Sequence, residues 1–260
     1  MDYNYHTHTP RCSHATGTPE EYIQTAIRGG IRHLGFSDHA PWRFPDGHES
    51  YYRVPMVEAR DYVAELRQLR DQYKDQIDLH IGFEMEYYPA YFQEMLQVAK
   101  DAGAEYLILG QHFLSNEDPG SHGSQKMTDD PEKLREYVDT VILAMESGAF
   151  TYVAHPDIFK FVGDEEVYRR EMRRLCQASA QYDLPLELNF LGIRQGRNYP
   201  DDRFWEMAGE LQCPVTFGFD AHETPSACDL ESLKKAKALV EKHSLRYIGQ
   251  PALVDIQKMK

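Results

Sequence analysis

The sequence predicts an α/β fold, a distorted (β/α)7 TIM-like barrel with a metal site at the C-terminal ends of its strands. Three observations lead there. Short apolar β-rich runs alternate with helical segments along the whole chain, nearly every such run ends in a histidine or a carboxylate, and 260 residues suit one barrel-sized domain spanning residues 1–260. Seven strand–helix alternations imply parallel strands with right-handed crossovers.

The first strand is expected at Tyr3–Tyr5, whose aromatic residues favour extended backbone. The others follow at His33–Phe36, Ile77–Phe83, Tyr106–Leu109, Thr151–Ala154, Leu186–Phe190 and Val215–Phe219, with a short extra strand or plug near Arg246–Ile248. Helices are expected at Pro19–Arg28, Val57–Tyr73, Tyr91–Asp101, Pro131–Glu146, Glu165–Ala180, Arg203–Leu211 and Leu230–His243. Apolar spacing of three or four supports them, as in Tyr62, Leu66 and Leu69. Pro19 after Thr18, and Pro131 after Asp129-Asp130, mark helix starts. The long irregular stretches Ala40–Arg53 and Ser115–Asp130 follow strands, where barrel enzymes build the mouth of their site.

Composition narrows the function. A net charge of -14 argues against a general nucleic-acid surface but leaves room for a small phosphorylated substrate at a locally positive site. No stretch has membrane-spanning length and the N-terminus lacks a signal-peptide pattern, so a cytoplasmic protein without membrane contact is expected. The four cysteines have no paired spacing, which suggests neither a disulfide framework nor a zinc knuckle. Cys12, between His8 and His14, is a possible thiolate ligand beside more abundant nitrogen and oxygen donors. The oligomeric state is left open.

The chemistry lies in the strand ends. His6 and His8 stand two apart after the first strand, so extended backbone places both imidazoles on one face as half of a metal site. The second strand ends in Ser37-Asp38-His39, the third in Gly82-Phe83-Glu84-Met85-Glu86 and the fourth in Gly110-Gln111-His112. The fifth ends in His155-Pro156-Asp157 and the seventh in Asp220-Ala221-His222. A lone histidine is most often a hydrogen-bonded or surface residue, but seven at successive strand ends, with carboxylates at the same level, fit convergence on one site. Asp38 and Asp157 adjoin these histidines and read as orienting groups. His33 and His80 lie at strand starts and read as structural, as does His243 at a helix end; His48 and His122 sit in the mouth loops.

The set His6-Thr7-His8, His14, Ser37-Asp38-His39, Gly82-Phe83-Glu84, His112, His155 and Asp220-Ala221-His222 resembles the PHP (polymerase and histidinol phosphatase) family over almost the whole chain. That resemblance implies three divalent metal ions. One would take His6, His8, Glu84 and Asp220; a second Glu84, His112 and His155, with Glu84 bridging; a third His14, His39 and His222. Glu86, on the same strand face, is the alternative to Glu84. Such donors suit zinc, manganese or iron alike.

Clustered cations lower the pKa of a bridging water and neutralise phosphoryl oxygens, which points to phosphomonoester hydrolysis by in-line attack of a metal-bridging hydroxide. Glu84, Asp220 and His222 are the expected catalytic residues, with Asp220 or His222 handing a proton to the leaving oxygen. Arg194 and Arg197, after the sixth strand, and Lys160, beyond His155, are the expected phosphate donors. Within the family the chain is most similar to the single-domain histidinol-phosphatases, on Gly110-Gln111-His112-Phe113-Leu114, His155-Pro156-Asp157 with Lys160, and Leu186-Glu187-Leu188-Asn189. This implies hydrolysis of L-histidinol phosphate to L-histidinol and phosphate in histidine biosynthesis. Phe219 departs from the pattern, where a small residue is usual, and is expected to reshape the pocket floor; Gln111 departs beside His112.

Three alternatives differ in class. A phosphoesterase of the same fold would act on another small monoester, a nucleotide or phosphotyrosine. A non-catalytic metal-binding barrel would be expected to have lost a ligand, yet every position is filled. A metal-dependent amidohydrolase also uses a His-X-His strand end, but its bridging group is commonly a carbamylated lysine, and here Glu84 occupies the bridging place.

Overall fold

The computed structural model describes residues 1–117 and 120–259. Its strands are β1 (Tyr3–Asn4), β2 (His33–His39), β3 (Asp78–Met85), β4 (Tyr106–Leu109), β5 (Leu186–Asn189), β6 (Pro214–Gly218) and β7 (Arg246–Tyr247). The helices are α1 (Pro19–Arg28), α2 (Ala59–Tyr73), α3 (Phe92–Ala102), α4 (Pro131–Glu146), α5 (Glu165–Tyr182), α6 (Phe190–Gln195), α7 (Asp202–Glu210) and α8 (Leu230–Lys242).

Every strand pairing is parallel, in the orders β1-β2-β3-β4 and β5-β6-β7. The expected fifth strand at 151–154 is reduced to an extended segment in which Val153 alone bridges Leu109 on one side and Leu186 on the other. The left-handed backbone of His155 (φ 33°), followed by Pro156, ends it before a ladder can lengthen. At the opposite margin Thr7 bridges Ala221, with His8 N–H donating to Ala221 O at 3.0 Å and Ala221 N–H to His6 O at 3.2 Å. The result is an α/β fold on a curled parallel sheet.

The helices begin where the sequence supplies caps. Thr18 and Glu21 form a reciprocal capping box at α1, and the Asp130 side chain accepts from Glu132 N–H at α4, each followed by proline in the first turn. The unforeseen α6 starts directly after β5 because the Asn189 side chain caps it, accepting from Gly192 N–H at 3.1 Å.

Helices bury their apolar faces against the outside of the sheet, while a second buried cluster of Tyr3, Tyr5, Tyr106, Ile108, Tyr152 and Ala154 fills its concave side. The Tyr106 side chain lies across the faces of β3 and β2 because both strands carry glycine there. A Cβ at Gly35 would lie 2.2 Å from the Tyr106 hydroxyl, and one at Gly82 would lie 2.4 Å from the Tyr106 carbonyl oxygen. This tyrosine layer supports the strand ends beyond it. Among the described residues no helix is long and apolar enough to cross a membrane.

Candidate metal centre

Alternation along β2 and β3 puts Ser37 and His39, and Gly82 and Glu84, on the concave side. His39 and Glu84 are register partners at the C-terminal end, so both meet the imidazoles delivered by the end of β1. The Glu84 carboxylate stands at the centre. Oε2 is 3.5 Å from His6 Nε2, 3.5 Å from His8 Nε2 and 3.3 Å from His39 Nδ1. Oε1 is 3.4 Å from His112 Nε2 and 2.9 Å from His155 Nε2. Gly110 makes room for it, since a Cβ there would lie 1.9 Å from Glu84 Oε1.

Asp220 faces Glu84 across the first histidine pair, with Oδ1 3.6 Å from His6 Nε2 and 3.5 Å from His8 Nε2. A third group forms at the rim, where His222 Nε2 and His14 Nε2 are 2.9 Å apart and His39 completes a set whose ligating atoms lie within 4.8 Å of one another. All nine expected ligands therefore converge. Cys12 is also close: its sulfur, His8 and His222 form another such set. Burial would raise that thiol, but hydrogen bonds with His14 and His8 outweigh it and lower its pKa.

The side chains behind the ligands are specific. Glu187 Oε1 lies 2.8 Å from His6 Nδ1, and its other oxygen accepts from His155 N–H at 3.1 Å and from the Asn189 amide at 2.8 Å. Asn189 also donates to Asp220 Oδ2 at 3.1 Å. Asp38 Oδ1 lies 3.4 Å from His8 Nδ1 and accepts from His39 N–H at 2.9 Å. Glu86, the alternative to Glu84, sits behind His112 with Oε1 2.8 Å from its Nδ1 and pairs with buried Arg53. Such carboxylates fix ring orientation and raise ligand basicity. Glu187 was missed as an orienter; its signal was a carboxylate at an inward position of a buried strand, two residues before Asn189.

Burial opposes charge throughout this cluster, and neighbours decide the outcome. Burial would lower His6, but Glu187, Asp220 and Glu84 push it up to about 10. Burial and the neighbouring His8 bring His222 down to about 4. Glu84 would be raised by burial, yet His112, His6 and His39 hold it well below the usual carboxylate range; Asp220 is held down likewise by His6 and His222. Asp220 (φ 46°), like His155, carries left-handed backbone, a strain associated with ligand-holding positions.

These residues fit bound cations. His6 Nε2, His8 Nε2, His39 Nδ1 and Asp220 Oδ1 are buried without a hydrogen-bond partner. Leaving such atoms unsatisfied costs about 1–3 kcal/mol each, which coordination would recover. Their contacts of 3.3–3.6 Å with the carboxylate oxygens are poorly aimed as hydrogen bonds. They match the spacing of ligands about one centre with bonds of ~2.0–2.2 Å.

A cavity of about 580 Å³ opens over the cluster. Arg197 lines it, its guanidinium donating to the Tyr199 hydroxyl and to Gln195 Oε1 at 2.9 Å each, and Lys126 of the mouth loop is a further cation on the wall that the sequence reading did not include. Arg194 is not on this wall. Its guanidinium donates to Phe219 O at 3.1 Å, Asp220 O at 3.0 Å and Asp229 Oδ2 at 2.9 Å, so it clamps the strained Asp220 segment. Lys160 is not on the wall either; its backbone pairs with Ser124 and Thr128 and thereby anchors the mouth loop. His48 and His122 also lie off the wall.

Two further expectations are corrected. Phe219 does not form the pocket floor: it turns into the core and packs on Phe190 with ring centroids 5.1 Å apart. Asp157 orients no ligand among its hydrogen bonds; it accepts from Asp201 N–H at 2.7 Å and Trp205 Nε1–H at 2.9 Å, anchoring the start of α7, and burial pushes it up to about 7.

Comparison with known proteins agrees with the geometry. A "Probable histidinol-phosphatase" of Deinococcus radiodurans is 28% identical over 223 residues, covering 84% of this chain and 85% of that protein. The "Histidinol-phosphatase" of Lactococcus lactis is 23% identical and covers 100% of this chain and 97% of its own. A crystal structure of histidinol phosphate phosphatase from that bacterium, complexed with zinc, L-histidinol and phosphate, superposes with a TM-score of 0.71 at 21% identity, over 100% of this chain and 98% of that one. At this identity the likeness establishes the fold. The PHP domain model matches residues 4–190, and the chain belongs to the PHP family.

Proposed function

We propose that this protein is a metal-dependent phosphomonoesterase that hydrolyses L-histidinol phosphate to L-histidinol and phosphate in the cytoplasm. The observation that carries the reading is one carboxylate, Glu84, within 3.5 Å of five imidazole nitrogens drawn from four separate segments. Names and contents of the relatives support the substrate: a histidinol-phosphatase is similar over the whole chain, and the superposed structure holds histidinol and phosphate with zinc.

The proposed frame is one domain, a distorted seven-stave barrel with Val153 as the fifth stave and Thr7–Ala221 as the closing seam. Three divalent ions would be held by His6, His8, Glu84 and Asp220; by Glu84, His112 and His155; and by His14, His39 and His222. When bound, divalent ions supply an acidified water and neutralise phosphoryl oxygens. Glu84 serves two positions because its two oxygens face different histidines. Asp220 and His222 line the cavity beside Glu84, the place from which a proton would be relayed to the leaving oxygen. Arg197 and Lys126 bring positive charge to the wall of the cavity that would receive the phosphate ester. Tyr52 and Phe113, stacked with centroids 6.1 Å apart on the cavity wall, offer an aromatic face for the substrate ring, and Glu223 offers a carboxylate for its ammonium group. A cavity of about 580 Å³ suits a small ester.

The test is kcat/KM on L-histidinol phosphate against a panel of phosphomonoesters, after chelation and reconstitution with zinc, manganese or ferrous iron. The expected result is metal-restored activity with histidinol phosphate strongly preferred. Equal activity on generic esters would refute the substrate, and undiminished activity after complete metal removal would refute the mechanism.

A further inference from the structure

The concave face that ends in Glu84 and His39 also carries metal-type side chains at its other end. Alternation places His33, Gly35, Ser37 and His39 on one face of β2, and Asp78, His80, Gly82 and Glu84 on the matching face of β3. His33 and Asp78 are register partners at the N-terminal ends, and His80 lies one step further in. The tyrosine layer separates them from the metal centre: Tyr5 packs edge-on against His80 at 5.4 Å and against Tyr106 at 5.9 Å.

The three floor side chains share one point. Asp78 Oδ2 is 3.3 Å from His33 Nδ1 and 3.1 Å from His80 Nε2, and ligating atoms of all three lie within 4.8 Å of one another. The ordinary account is a cross-strand ion pair, and His33 with Asp78 satisfies it. It does not cover His80. Its Nε2 is buried and has no hydrogen-bond partner, although a carboxylate oxygen lies 3.1 Å away, because that oxygen is off the axis of the ring nitrogen. A tetrahedral zinc site with bonds of ~2.0–2.1 Å has ligand–ligand edges of about 3.3 Å, close to both observed separations. The solvent-facing side is open, since Asp78 is 57% exposed, so a water can complete the coordination.

We infer that His33, Asp78 and His80 form a second, separate divalent-cation site at the floor of the sheet, a two-imidazole, one-carboxylate set of the type zinc accepts with a water in the fourth position. It would tie the starts of β2 and β3 together and take no part in hydrolysis, because the tyrosine layer lies between it and the cavity. Binding there does not depend on the reading of the upper site as a phosphatase.

The test counts zinc in the full-length protein, stripped with chelator and re-equilibrated at micromolar free zinc, by elemental analysis. The double variant His33→Asn/His80→Asn should hold one zinc per chain fewer than wild type, with the same rate of phosphomonoester hydrolysis. Asp78→Asn, a change at an exposed side chain, should lose the same equivalent and covers the case in which the double variant does not fold. In an Asp220→Asn background, added zinc should still move the His33 and His80 ring signals in long-range 1H–15N spectra. Unchanged zinc content in the floor variants would overturn the proposal. So would loss of hydrolysis together with the zinc, because the metal would then belong to the upper centre.

Discussion

Two buried polar clusters meet at His112, and they are built on opposite principles. On one side Arg53, 2% exposed, donates through Nε to Glu117 at 3.0 Å, through one terminal nitrogen to Ala40 O at 2.6 Å, and through the other to Glu86 and Glu117. Tyr88 and Ser50 complete Glu117. Cation and anions are both supplied by the chain, and none of these three charged side chains keeps an unpartnered buried atom. On the other side Glu84 and Asp220 are ringed by imidazoles, and four of the buried ligand atoms of this cluster, one of them on Asp220 itself, have no partner. Protein interiors satisfy their polar groups unless something external does so. The first cluster holds the Ala40–Arg53 loop against β3; the second is arranged for ions that the chain does not itself contain.

This contrast can be broken by experiment. The largest effect is expected from Glu84→Gln, which removes the charge shared by two ligand sets: hydrolysis should fall about a thousandfold or more, with bound metal lost in elemental analysis. A variant that kept both metal and rate would end the central role of Glu84. Arg53→Met should instead act on stability, because it leaves Glu86 and Glu117 buried without their cation. A loss of about 3–5 kcal/mol is expected from urea unfolding, and a change within the error of that measurement would show that the cluster is not structural.

Glu187→Gln tests the border between the two kinds of group, since Glu187 touches His6 and the His155 backbone but belongs to no proposed ligand set. Metal affinity should weaken by about 10–100-fold, seen by competition with a chromophoric chelator; unaltered affinity would make it a packing residue only. The smallest effect separates the clusters by pH. Burial would raise Glu117, but Arg53 outweighs it and brings the carboxyl down to about 2 from an ordinary 4.5. A depressed folded-state pKa contributes stability that is present above 4.5 and lost as pH falls toward 2. The stability gap between wild type and Glu117→Gln should therefore close over that window in acid unfolding. A gap that stayed constant down to pH 2 would contradict the ion pair.

Much of this was legible in one dimension. His6 and His8 share a face because extended backbone has a period of two, and the same period puts His39 opposite Glu84 once β2 and β3 pair. Helices α1 and α4 appear at the expected residues because their caps are local. The choice between Glu84 and Glu86 is not local. Both stand on one strand face, and the structure separates them because Gly110 opens space beside the first while Arg53 pairs with the second.

Arg194 shows the same limit. Its glycine-containing loop at a strand end suggested a phosphate fork, yet its donors meet Asp229 and two carbonyls only after β6 has been laid beside β5. Lys126 was overlooked for the converse reason, since its loop is brought over the cavity by backbone pairing with Lys160 and Phe113.

By itself, then, the sequence determined the alternation of strands and helices, the strand-end placement of the nine metal-type ligands and the family. Each depends on residue spacing along one chain, which backbone geometry converts directly into direction. Only the tertiary structure decided which carboxylate sits at the centre, which arginine lines the cavity and which histidines gather on the floor. Those outcomes depend on which segments become neighbours, and a side chain's partners are set by packing across the sheet.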